Sequence, residues 1–131
     1  MDNKVKFTSM DKGTRDDYDL IAVHDSENER SLVTRVIEWL KMMDGESPYK
    51  ITRLQHSLQT ATRAEADGAD TETIVCALLH DIGDVISPSN HSQVSAALLR
   101  PYISEKTIGL FLIMDYFRVT IGCIIMIKIE I

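Results

Sequence analysis

Basic side chains are in short supply in this chain. Fourteen Lys and Arg stand against 20 Asp and Glu, for a formal net charge of −6. That balance argues against a general nucleic-acid binder, which presents a basic face. Cysteine is equally sparse. Cys76 and Cys123 are the only two, too few for a disulfide framework. Cys76 falls inside an apolar run, where a free thiol serves as a small hydrophobe, and this usage suits a reducing compartment. The first residues, MDNKVKFTSMDKG, lack the apolar stretch of a signal peptide, so a cytoplasmic protein is expected. The three prolines fall at boundaries: Ser47-Pro48 reads as a turn, Pro88 as a first helical turn and Pro101 as a stop. With 131 residues, 44% apolar and 26% charged, the composition is that of one soluble globular domain at most.

Against these absences stands a succession of helical patterns. Residues Met1–Arg30 carry eight acidic and five basic side chains and little apolar periodicity, which predicts a mobile or loosely packed arm. His24 lies there and reads as a solvated loop residue. Ser31–Met43 places Leu32, Val33, Val36, Ile37, Leu40 and Met43 at helical spacing, with Trp39 at the edge of the stripe and Asp44-Gly45 as the stop. Ile51–Ala66 is the second helix, with Leu54, Leu58, Ala61 and Ala64 as its apolar side. Asp70 can cap a third, Thr71–Asp81. A fourth runs from about Pro88 to Arg100, and Ser104 can cap a fifth.

Chemistry concentrates where the third helix ends. In IVCALLHDIG (Ile74–Gly83) the apolar residues cover almost every direction around the axis, so the helix is expected to be buried on all sides. Ending it with His80-Asp81 is costly unless both find partners. A metal ion satisfies both at once, and a buried His–Asp hydrogen bond is the alternative. By periodicity alone His56 falls on the polar side of the second helix with Thr52, Gln59, Thr60 and Arg63. That side faces either solvent or a polar pocket. His91 shares an inward face with Val94, Ser95 and Leu98, where a histidine is hydrogen-bonded or binds metal.

Taken together, His56, His80-Asp81 and His91 follow a familiar order, with successive histidines 24 and 11 residues apart. The pattern resembles the HD-domain superfamily of helical metalloproteins. The segments LQHSLQTATRAEADGAD, ALLHDIGD and the Asn-His that opens the next helix are similar to the oxygenase branch associated with phosphonate breakdown, over Ile51–Tyr102; myo-inositol oxygenase is more distantly similar. The resemblance implies an all-α, compact HD-domain bundle. It implies that His56, His80 and Asp81 hold one iron and that Asp81 bridges to a second iron bound also by His91. Gln59 and Asp84 become candidate pocket groups or supports for the ligands. The implied reaction uses dioxygen at a mixed-valent di-iron centre to cleave a small α-hydroxylated substrate such as a 1-hydroxyphosphonate. Other HD proteins are phosphohydrolases using a divalent metal such as Mn or Mg, which supplies hydroxide and polarises the phosphoryl group.

The chain departs from the family after residue 107. Ile108–Ile131 is rich in Ile and aromatics, strand-prone and aggregation-prone, and contains no histidine. Asp115 and Arg118 near its centre count against a membrane span. The family has a further histidine and a further aspartate ligand in its C-terminal part, leaving His56, His80, Asp81 and His91 as four of six. Residues 31–107 thus read as a truncated HD domain followed by a divergent apolar tail open to self-association. A change of reading frame after Lys106 would account for the break, since synonymous codons permit a family-like segment one frame over. Loss of those ligands implies an impaired centre, a single-ion site, or an inactive domain that serves as an interaction module.

Overall fold

The computed structural model describes residues 4–109. The expectations for the tail beyond residue 109, including strand character and self-association, lie outside the described residues. The all-α expectation holds: the described residues form five α-helices, a further helical segment at 105–109 and short 3-10 turns, with no strand. None of these helices is long and apolar enough to cross a membrane. The chain divides into two compact units, Met1–Glu38 and Trp39–Ile131, with the boundary inside the second helix rather than at the change of composition near residue 30.

The residues read as a mobile or loosely packed arm contain a helix that periodicity did not show. Helix α1 spans Arg15–Arg30, and its start is fixed by a reciprocal cap rather than by apolar periodicity. The Thr14 hydroxyl accepts from the Asp17 amide at 3.3 Å, and the Asp17 carboxylate accepts from the Thr14 amide at 3.0 Å. Asp17 also accepts from the Lys6 amide at 3.1 Å. Tyr18 packs its ring on Phe7 and donates its hydroxyl to the Met10 carbonyl. No residue of α1 is buried, which explains why a search for a hydrophobic stripe passes over it. His24 is exposed beside Glu27, as expected, but it lies within α1 and not in a loop.

Helix α2 spans Leu32–Met42. Its stripe is narrower than the spacing suggests: Leu40 and Met43 are buried, whereas Val33 and Ile37 are exposed. Burial is concentrated at the end of the helix that belongs to the second unit.

In the second unit α3 (Arg53–Ala66) packs along α4 (Thr71–Leu79), and the 3-10 turn Ile82–Val85 packs on α5 (His91–Leu99). Helix α3 starts with a second reciprocal cap, Thr52 with Gln55, and stops before Gly68, whose φ of +77° is the left-handed conformation glycine adopts without strain. The face that α3 buries is the apolar one read from periodicity, shifted at one edge: Leu54 and Ala61 are half-buried and Ala64 is buried, but Ser57 takes the place expected of Leu58. Leu58 itself is exposed.

Asp70 caps α4 as expected, accepting from the Thr73 amide at 2.8 Å. Cys76, Ala77 and Leu79 of α4 join Ile82, Ala96, Leu99 and Ile108 in the core. Burial of α4 is not complete all round, since Val75 is exposed. Residues 105–109 are helical, and Ser104 accepts from the Thr107 amide at 3.4 Å. Glu72 fastens this last piece to α4. One of its carboxylate oxygens accepts from the Ser104 amide at 3.1 Å, the Ser104 hydroxyl at 2.7 Å and the Thr107 hydroxyl at 2.5 Å.

Candidate metal centre

The site is assembled where α4 ends. Regular helix stops at Leu79, and Asp81 has left helical geometry at φ −101° and ψ 4°. Ile82, 1% exposed, anchors the turn in the core. His80 and Asp81 are thereby held at the mouth of a buried element, with side chains 11% and 17% exposed. From α3, the ring of His56 meets that of His80 edge-on, with centroids 5.1 Å apart. His56, with its side chain 46% exposed, has its ring beside His80 and Asp81 at the solvent margin.

The donor atoms converge on two sides of one carboxylate. The Nε2 atoms of His56 and His80 lie 3.2 Å apart. Asp81 Oδ2 is 3.8 Å from the first and 3.4 Å from the second. These three groups form a cluster able to hold a metal ion. The other carboxylate oxygen, Asp81 Oδ1, lies 3.5 Å from His91 Nε2 at the start of α5. His91 therefore shares Asp81 but stands on its opposite edge.

The hydrogen-bond pattern fixes which nitrogen is available. His80 Nδ1 lies 2.7 Å from the Ala77 carbonyl and His91 Nδ1 3.0 Å from the Pro88 carbonyl. A carbonyl only accepts, so each Nδ1 carries a proton, which leaves Nε2 as the nitrogen through which the ring could bind a metal. Backbone oxygens thus orient both rings toward Asp81, the arrangement typical of metal-binding histidines. For His56, burial pushes the imidazole pKa down, His80 adds to the effect, and the Asp81 carboxylate opposes it. The downward shift favours the neutral ring that a metal ligand needs.

This donor set fits a metal ion. With metal–nitrogen bonds of about 2.1 Å, two ligands at angles between the octahedral and tetrahedral values stand roughly 3.0–3.4 Å apart, and the His56–His80 separation of 3.2 Å falls within that range. Mixed nitrogen and carboxylate oxygen donors suit iron or manganese as well as zinc.

The remaining residues singled out from the sequence play other parts. Gln59 is exposed on α3. Asp84 pairs with Arg53 at 3.0 Å, tying the turn after Asp81 to the first residue of the helix that carries His56. A clamp that the sequence reading did not identify lies behind the ligands. The buried amide of Gly83 donates to the hydroxyl of Ser95 at 2.9 Å. A Cβ on Gly83 would stand 2.1 Å from the His91 carbonyl oxygen, so backbone meets backbone there. Ser95 sits four residues after His91, one helical turn on, and that spacing was the available signal.

Comparison with known proteins agrees with this geometry. The family described as HD domain matches residues 53–114, a segment that contains all four candidate ligands. Searches of curated proteins and of solved structures find no match. The family match and the His56–His80–Asp81 cluster together support placing this segment in the HD-domain superfamily, whose members are generally metal-dependent enzymes.

Proposed function

We propose that the chain is a metal-dependent oxygenase with a dinuclear iron centre, acting on a small α-hydroxylated substrate such as a 1-hydroxyphosphonate. The observation that carries the two-ion reading is the division of Asp81: Oδ2 faces His56 and His80, and Oδ1 faces His91. A carboxylate used in this way has one oxygen for each of two ions. His56, His80 and Asp81 would hold the first, and Asp81 with His91 the second. Bound iron would supply Lewis acidity and one-electron chemistry with dioxygen.

The protein's own residues hold the donors and leave a way in. The Ala77 and Pro88 carbonyls keep the His80 and His91 rings from turning. His80 and Asp81 are largely covered, whereas the side chains of His56 and His91 are 46% and 34% exposed. Substrate would therefore approach from the side of these two rings, and Asp81, at the closed side, would contribute its charge to the ions.

A phosphohydrolase could use the same four donors with Mn or Mg, and the HD-domain match, to a hydrolase-like superfamily of metal-dependent proteins, is a specific observation in favour of that second reading. The deciding experiment offers the iron-loaded protein a 1-hydroxyalkylphosphonate under air, following dioxygen uptake and phosphate release. The manganese-loaded protein is offered 4-nitrophenyl phosphate without dioxygen. Uptake of dioxygen with phosphate release supports the oxygenase. Anaerobic ester hydrolysis with no dioxygen uptake would replace it by the hydrolase.

A further inference from the structure

We propose that Ser95 is a positioning residue for the second ion: its hydroxyl, bonded to the Gly83 amide, latches α5 against the turn after Asp81 and so sets His91 opposite Asp81 Oδ1. The proposal rests on the two-ion reading above.

The two halves of the centre are built differently. His80 and Asp81 are neighbours in one chain segment, and α3 packs directly along α4 to add His56. Three donors of that half lie within 4.8 Å of one another. His91 belongs to a separate helix, and its approach to Asp81 depends on how α5 docks on the 3-10 turn Ile82–Val85. Two observations define that docking. Ser95 is fully buried, at 0% exposure, and its hydroxyl accepts the 2.9 Å bond from the Gly83 amide. Gly83 is buried too and lies so close to the His91 carbonyl that no side chain fits between them. The Gly83 amide is held at one end of this contact and His91 begins at the other. A shift of α5 along the turn would break the Ser95 bond and move the His91 ring together.

Such a latch acts on one ion and not the other. Without the Ser95 hydroxyl, the Gly83 amide is left buried and unpaired, a state the structure relieves by letting α5 move. The His56–His80–Asp81 half has no atom in that contact.

The test is a titration of the full chain with Mn2+ alone, followed by calorimetry and by the free-Mn2+ electron paramagnetic resonance signal. The wild-type chain is expected to bind two ions, the first more tightly. In Ser95→Ala the first step should stay within about twofold, while the second weakens by at least about tenfold, the scale seen when a group supporting a ligand is removed. Ser92→Ala, on the same helix and outside the latch, should leave both steps unchanged. Ser95→Cys has nearly the same volume and a weak acceptor, and it serves if Ser95→Ala does not fold; the same selective loss is expected. A merely structural role would weaken both steps alike. Equal loss at both steps, or no loss at either, overturns the latch while leaving the two-ion reading standing. A wild-type chain that binds one ion or none overturns both.

Discussion

Replacing Gly83 with alanine is the sharpest test of how the HD turn is packed. The added methyl would lie 2.1 Å from the His91 carbonyl oxygen and 2.8 Å from the Val94 Cβ. Atoms in ordinary contact stand beyond 3.4 Å and almost never closer than 3.0 Å, so α5 must retreat by roughly 1 Å, and backbone cannot swing aside as a side chain can. Overfilling a packed interior costs about 1–3 kcal/mol. The same retreat strains the 2.9 Å bond from the Gly83 amide to Ser95, and a buried donor left unpaired costs about 1–3 kcal/mol more. The two add to roughly 2–6 kcal/mol, a large fraction of a typical domain's stability. Melting of the metal-free protein, followed by circular dichroism in chelator, should fall by roughly 10 °C or more. A Gly83→Ala protein that melts within about 2 °C of wild type would refute the close approach of the turn to α5.

Other consequences can be checked in parallel. Thr52→Ala removes one half of the cap that starts the His56 helix and should cost about 1 kcal/mol in urea unfolding; a change indistinguishable from zero would contradict the cap. Burial pushes the Cys76 thiol up to about 11, and the residue is only 6% exposed, so iodoacetamide at pH 8 should leave it unmodified in folded protein and label it after unfolding; mass spectrometry of its peptide reads the difference. Bonds from Thr107 and then Ser104 hold the Glu72 carboxyl below its ordinary value of 4.5. A carboxyl lowered by folding stabilises above its unfolded pKa, and that contribution is lost as pH falls through the folded value. Glu72→Gln should therefore lower the urea midpoint at pH 7, with a deficit that shrinks below pH 4.5; a deficit constant down to the acid limb would remove Glu72 from the account.

Much of the second unit was legible in the residues. The Asp70 cap and the helix breaks at Asp67-Gly68 and Pro101 follow from local rules, and the structure bears them out. Of the face read as inward on the His91 helix, Ser95 is buried while His91, Val94 and Leu98 are half-buried, and Ala96 and Leu99 complete the buried side. His56 was not assigned by periodicity. The side it shares with Thr60 carries polar groups, and only the packing of α3 on α4 turns that side toward His80. Leu58 shows the converse, an apolar residue left exposed on a helix whose buried residues are Ser57 and Ala64. Helix α1 was missed because its signal is the Thr14–Asp17 cap and not a stripe. The role of Gly83 depends on a carbonyl eight positions further along the chain, a contact that exists only once α5 has docked.

The convergence of His56, His80 and Asp81 is the claim on which the functional reading depends. Crystals soaked in Mn2+ and measured for anomalous scattering test it directly. The account predicts a peak about 2.0–2.2 Å from His56 Nε2, His80 Nε2 and Asp81 Oδ2. A strong peak elsewhere, with these three atoms bonded only to one another or to water, would contradict it.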